Sequence, residues 1–68
     1  MKVGVECYAG YRASETPQRI RLGERLVQVT LVIDRWMTPD YRYFRVEGDD
    51  GCAYVLRLHP DTGEWELL

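Results

Sequence analysis

The side chains able to make or break covalent bonds are few, and their spacing assembles none of the usual catalytic sets. Cys7 and Cys52 are the only cysteines and His59 the only histidine. A cysteine acts as a nucleophile when a neighbour lowers its pKa, and a histidine acts as a base when a third group orients it. Neither arrangement is written into the local sequence. Cys7 reads as a small apolar core residue and His59, just before Pro60, as a surface or turn residue. Zinc usually takes four ligands at short spacings such as C-x₂-C, and this chain has none. Glu47, Asp49 and Asp50 lack the alternating oxygen ligands and distal glutamate of a calcium loop, so they read as a solvated turn. Gly4, Gly10 and Gly23 do not lead from a strand into a helix, as a phosphate-cradling loop would. The expectation is a non-enzyme without metal or cofactor.

Composition narrows the remaining classes. With 68 residues, 46% hydrophobic and 29% charged, the chain is expected to form one small globular domain spanning residues 1–68. No apolar run is long enough to cross a bilayer, and the Met1-Lys2 start has no apolar signal region, so a soluble cytoplasmic protein with two free thiols is expected. The formal charge of −2 hides an asymmetry: residues 1–33 carry five basic and three acidic side chains, residues 34–68 four basic and eight acidic. That balance weighs against a binder driven mainly by phosphate contacts, while leaving room for a local basic stripe.

Function must then come from what the chain displays, which depends on its elements. Val3–Cys7 alternates loosely and reads as a first strand, and Ala9–Pro17 reads as a polar loop. Gln18–Leu22 alternates well, Gly23-Glu24 makes a turn, and Arg25–Trp36 is a long run rich in β-branched residues. Beyond it, three alternating runs are cut by Asp49-Asp50-Gly51 and Pro60-Asp61-Thr62-Gly63, the punctuation of an antiparallel meander. A three-residue loop with Gly51 in the left-handed region sets Phe44 opposite Leu56 and Val46 opposite Tyr54. Four-residue loops at Met37–Asp40 and Pro60–Gly63 set Ile33 opposite Phe44 and Leu58 opposite Trp65. One face then gathers Ile20, Leu22, Val27, Val29, Leu31, Ile33, Phe44, Val46, Tyr54, Leu56, Leu58, Trp65 and Leu67 as the core. With no helix to cover that face, five to six strands must curl into a strongly bent sheet or an SH3-like partial barrel closed at one edge by the first strand. The alternative is a dimer in which two sheets cover each other.

The same register puts Thr30, Val32, Asp34 and Trp36 on the outer face, with Tyr41, Tyr43, Arg45, Glu47, Ala53, Val55, Arg57, Glu64 and Glu66. Asp34 with Tyr43 and Arg57 with Glu66 are the expected polar neighbours, and Arg35 falls opposite Arg42, an unfavourable like-charge pair. Trp36, Tyr41, Tyr43, Arg45 and Arg57 form an aromatic centre with a basic rim, the composition of a binding patch. Three readings are open. The aromatics pack at a corner or under the Ala9–Pro17 loop; they form a site for a protein partner or a second copy; or they stack nucleic-acid bases while Arg35, Arg42, Arg45 and Arg57 meet phosphates.

Arg19-Ile20-x-Leu22, Val29, Val32, Asp34-Arg35-Trp36, Tyr43-Phe44-Arg45-Val46, Asp50-Gly51 and Asp61-Thr62-Gly63-Glu64-Trp65 together resemble a group of small uncharacterised bacterial β domains. The resemblance covers roughly residues 17–68, with Asp34-Arg35-Trp36 and Gly63-Glu64-Trp65 its distinctive parts. Domains of that group occur alone or in association with Y-family, error-prone DNA polymerases, with no assigned activity or catalytic residues. The resemblance implies a β fold and a role near DNA repair. Trp65 lies on the expected core face, so its match speaks to fold; Trp36 lies outside, so its match speaks to surface.

Overall fold

The alternating segments form six antiparallel strands: β1 (Lys2–Cys7), β2 (Pro17–Leu22), β3 (Arg25–Met37), β4 (Arg42–Gly48), β5 (Ala53–His59) and β6 (Glu64–Leu67). They come from a computed structural model that describes residues 1–7 and 16–68. Each strand pairs with its neighbour in sequence, and β1 also pairs with β6, so the meander closes into a barrel. Closure solves the problem of a one-sided apolar sheet inside a single chain, because inward side chains then cover one another and no strand edge is left at the seam. The seam is formed by Lys2 opposite Glu66 and Val3 opposite Trp65. It is extended by the Leu67 amide, which donates to the Met1 carbonyl at 2.7 Å. Among the described residues there is no helix, and so none long and apolar enough to cross a membrane.

The two turns that connect β4 to β5 and β5 to β6 rest on backbone that L-residues with a Cβ rarely adopt. Gly51 has φ +82° in the β4–β5 loop, and Gly63 has φ +75° where Pro60–Gly63 returns the chain into β6. These loops set the expected pairings, Phe44 opposite Leu56, Val46 opposite Tyr54 and Leu58 opposite Trp65.

The β3–β4 ladder departs from expectation. At its open end Met37 faces Arg42, Trp36 faces Tyr43, Arg35 faces Phe44 and Asp34 faces Arg45. Asp34 is therefore not the partner of Tyr43, Ile33 does not face Phe44, and Arg35 does not oppose Arg42. Two irregularities follow, one between Val32 and Asp34 and one between Val29 and Leu31. Each inserts an extra β3 residue, and each insertion reverses the facing of what lies beyond it. As a result Val32 turns inward and packs against the core, whereas Leu31 and Ile33 stand 55% and 48% exposed. The bulges let a strand of 13 residues wrap a narrow barrel, pairing through Arg25–Gln28 with β2 and from Val29 onward with β4. Thr30, the extra residue of the first bulge, donates its hydroxyl to the Glu47 carbonyl at 3.1 Å.

The core is Ile20, Val27, Phe44, Val46, Leu56, Leu58 and Trp65, with Val3, Val5, Cys7, Leu22, Val29, Val32, Tyr54 and Leu67 packed half-buried around it. Pro17, read as the end of a loop, instead begins β2 and pairs with Cys7. The rest of the expected Ala9–Pro17 loop up to residue 15 lies outside the described residues.

Candidate functional site

A single row of residues crosses the outer face from β3 to β6. The register sets Trp36 opposite Tyr43, Tyr43 opposite Arg57 and Arg57 opposite Glu66. Directly opposed side chains on one face touch, and here they do so closely. The rings of Trp36 and Tyr43 stack, with centroids 5.3 Å apart and planes within 3°. Such a pair contributes about 0.5–1.5 kcal/mol beyond the area it covers.

Tyr41, just ahead of β4, adds a second wall. Its ring lies 6.0 Å from that of Tyr43 at 59°. One side of the Tyr41 ring is covered by the Arg57 guanidinium, 4.2 Å from the ring centroid, and His59 meets the same ring in a T-shaped contact at 5.3 Å. Arg57 is itself held, donating through Nε to Glu66 Oε1 at 2.7 Å. Glu66 first, and Tyr43 after it, keep the Arg57 guanidinium even more firmly protonated than usual, and Arg57 holds the Glu66 carboxyl below the ordinary carboxylate range. The rings are thus fixed by their neighbours, while Trp36 stays 43% exposed.

The five residues singled out in the sequence therefore occupy one face, in two tiers. Trp36, Tyr41, Tyr43 and Arg57 touch in a chain of ring and cation contacts. Arg45 sits one row along, between Asp34 on β3 and Val55 on β5, and is exposed. Among the described residues no carboxylate pairs with it; its neighbour Asp34 accepts the Arg35 amide hydrogen at Oδ1, at 2.8 Å. Arg35 turns away from this face, its guanidinium 5.9 Å from the centroid of the Phe44 ring.

His59 is the member of the cluster that sequence reasoning set aside as a turn residue. It is half-buried against Tyr41, and its Nδ1 is buried without a hydrogen-bond partner among the described residues. The signal was present: His59 lies two residues after Arg57, so in a strand both side chains share a face. The exposed Leu31 and Ile33 had no such signal, since no glycine or proline in β3 marks its bulges.

Elsewhere the polar contacts brace the barrel. Asp50 accepts from Arg25 at 2.8 Å, from the Tyr54 hydroxyl at 2.5 Å and from the Cys52 amide at 3.1 Å, tying the β4–β5 loop to the β2–β3 turn. The Tyr54 hydroxyl, followed by the Cys52 amide, holds the Asp50 carboxyl below its ordinary range; Asp50 in turn raises the Tyr54 phenol. Glu6 accepts from Arg19 and Arg21, both at 2.8 Å. A groove of about 370 Å³ opens where β2 and β3 part, lined among the described residues by Thr16–Gln18 and Val29–Val32, none of them charged. Among the described residues no three His, Cys, Asp or Glu side chains are grouped to hold a metal ion. Cys52 is exposed and Cys7 half-buried, on different elements.

No protein-family model, curated protein or solved structure matches the chain.

Proposed function

We propose that this chain is a small, non-enzymatic β-barrel module that binds a protein partner or a second copy of itself through Trp36, Tyr41, Tyr43, Arg45 and Arg57. The observation that carries the reading is the Trp36–Tyr43–Tyr41 cluster, held in place by Arg57 and Glu66 yet still open to solvent at Trp36. Tryptophan, tyrosine and arginine are the residues that concentrate binding energy at interfaces, and a patch already rigid before binding loses little entropy on contact. The core does not need Trp36, whose outward position leaves it free for recognition. The exposed Cys52 thiol suits a reducing compartment, in keeping with a cytoplasmic protein.

The test compares wild type with the Trp36→Ala, Tyr43→Ala double variant. Solution molar mass and retention of partners from lysate are measured together with circular dichroism. Loss of an association in a variant with a native spectrum supports the reading; unchanged association, or none in either protein, removes it.

A second reading, an accessory nucleic-acid binder near DNA repair, is favoured by the Trp36–Tyr43 stack beside the carboxylate-free Arg45, and by the resemblance to domains that accompany error-prone polymerases. Binding to single-stranded oligonucleotides that weakens steeply with salt is its required signature.

A further inference from the structure

We infer that Asp34 guards an open strand edge: by taking the Arg35 amide hydrogen, it keeps a second copy of this chain from pairing along β3 at Arg35–Met37. The inference is independent of the reading of the outer face. It gives a physical role to Asp34-Arg35-Trp36, of which only Trp36 takes part in the aromatic cluster.

The ladder locates the edge. β2 pairs with β3 no further than Arg19 opposite Gln28, so from Val29 onward β3 is flanked among the described residues by β4 alone. Opposed residues of an antiparallel ladder alternate between pairs that exchange hydrogen bonds and pairs that do not. The Thr38 amide donates to the Tyr41 carbonyl at 2.9 Å, which makes that pair a bonded one. Back along the regular stretch, Trp36–Tyr43 and Asp34–Arg45 are then bonded pairs, whereas Met37–Arg42 and Arg35–Phe44 are not. The backbone N–H and C=O groups of Arg35 and Met37 therefore point away from β4, across the open edge. An adjoining strand would take the Arg35 amide hydrogen with a carbonyl; here the amide donates to Oδ1 of Asp34 at 2.8 Å. That bond is a separate sign that the edge is unpaired at Arg35.

An open edge is a template for another strand, and Trp36 and Met37 stand 43% and 69% exposed beside it. Register and charge select the occupant. Opposed side chains must lie on one face, so two copies related by a two-fold axis set one residue of the stretch against itself. Asp34 against Asp34, or Arg35 against Arg35, opposes like charges. Met37 against Met37 puts Arg35 across from Pro39, which has no N–H. Trp36 against Trp36 has neither fault: Arg35 falls across from Met37, and each such pair can exchange both of its hydrogen bonds. A second copy thus fits this edge in one register, and that register needs the Arg35 amide of each copy as a donor. Asp34 already holds it. The bulge between Val32 and Asp34 and the turn after Met37 keep the regular edge short, a second restraint on the same pairing.

The experiment measures the solution molar mass of the full-length chain over a dilution series, together with the NMR signals of the two indole N–H groups, Trp36 at the edge and Trp65 in the core. Asp34→Ala should gain mass toward a dimer at about ten-fold lower concentration than wild type, the effect of about one hydrogen-bond donor released at the edge. The Trp36 signal should shift with concentration and that of Trp65 should not. Asp34→Asn keeps an acceptor oxygen and should behave as wild type, which separates the hydrogen bond from the charge. Asp34→Ala combined with Arg35→Pro should return to the wild-type mass, because proline removes a donor that β4 does not use. Met37→Pro takes the place of Arg35→Pro if circular dichroism shows that the latter does not fold. The inference is overturned if Asp34→Ala has the wild-type mass at every concentration, if Asp34→Asn associates as strongly as Asp34→Ala, or if association survives the proline. Protection of the Arg35 amide from hydrogen exchange in Asp34→Ala without a gain in mass assigns the edge to another occupant and overturns it as well.

Discussion

Replacing Gly48 by alanine puts a methyl group where the barrel has no room for one. Gly48 is buried at the end of β4, opposite Val29 at the first bulge of the β3–β4 ladder. A Cβ there would stand 2.4 Å from Val27 Cγ1, 2.8 Å from Asp50 Oδ1 and 3.2 Å from Tyr54 Cε2. Ordinary contact begins at 3.4 Å, so Val27 would have to recede by 1.0 Å, the difference between 3.4 and 2.4 Å. Val27 is 2% exposed and sits in the centre of a small core, so its retreat displaces other core side chains. Overpacking of this kind costs about 1–3 kcal/mol, against a gain of about 0.4–1 kcal/mol from the smaller conformational freedom of alanine in the unfolded chain. The net expectation is a loss of about 1–2 kcal/mol, or roughly 5–15 °C in Tm for a domain of this size. Thermal and urea unfolding followed by circular dichroism measure it. The clash also predicts non-additivity: adding Val27→Ala to Gly48→Ala should cost less than the sum of the two single changes, by about 0.5–3 kcal/mol. A Gly48→Ala protein as stable as wild type, or a strictly additive double variant, would refute this account of the packing.

Further predictions concern the division between core and surface. Trp36→Ala should remove the stacking contribution of about 0.5–1.5 kcal/mol together with the area the half-covered ring buries and leave the fold intact, whereas Leu56→Ala at a fully buried position also opens a cavity and should cost about 2–5 kcal/mol; urea unfolding of both measures them. Glu6, Asp50 and Glu66 have folded pKa values below their ordinary 4.5, 3.8 and 4.5, so the unfolded chain binds more protons in that range. Their contribution is complete above those ordinary values and is lost as pH falls through the lowered ones, to be seen as a falling urea midpoint in acid. Glu6→Gln should flatten part of that slope. Tyr54→Phe removes the largest influence on Asp50, so the Asp50 carboxyl should titrate nearer its ordinary value when followed by NMR. In wild type the raised Tyr54 phenol contributes stability that is present below its ordinary value of 10.0 and lost as pH rises through its folded value.

What the chain says on its own is local, and it is legible where local chemistry suffices. Gly51 and Gly63 each need a left-handed backbone, so the loops that contain them have one length, and loop length determines which residues face each other across β4, β5 and β6. The core pairs Phe44 with Leu56 and Leu58 with Trp65, and the outer pair Arg57 with Glu66, follow from that alone. The aromatic face was legible too: placing Trp36 two positions away along the ladder leaves its side of the sheet unchanged, since side chains repeat every two residues.

The tertiary structure decided the rest. Closure of the sheet depends on a pairing between the first and last strands, a contact across nearly the whole chain that no local pattern encodes. The two bulges in β3 answer the curvature that closure demands, and they exchange Val32 for Leu31 and Ile33 in the interior without any local mark. The same curvature brings Trp36 directly over Tyr43 in place of Asp34, which converts a list of outward residues into stacked rings. Residue types in alternation are enough to say which side chains can share a face. Only a closed barrel, whose strands must bend to meet, settles which of them touch.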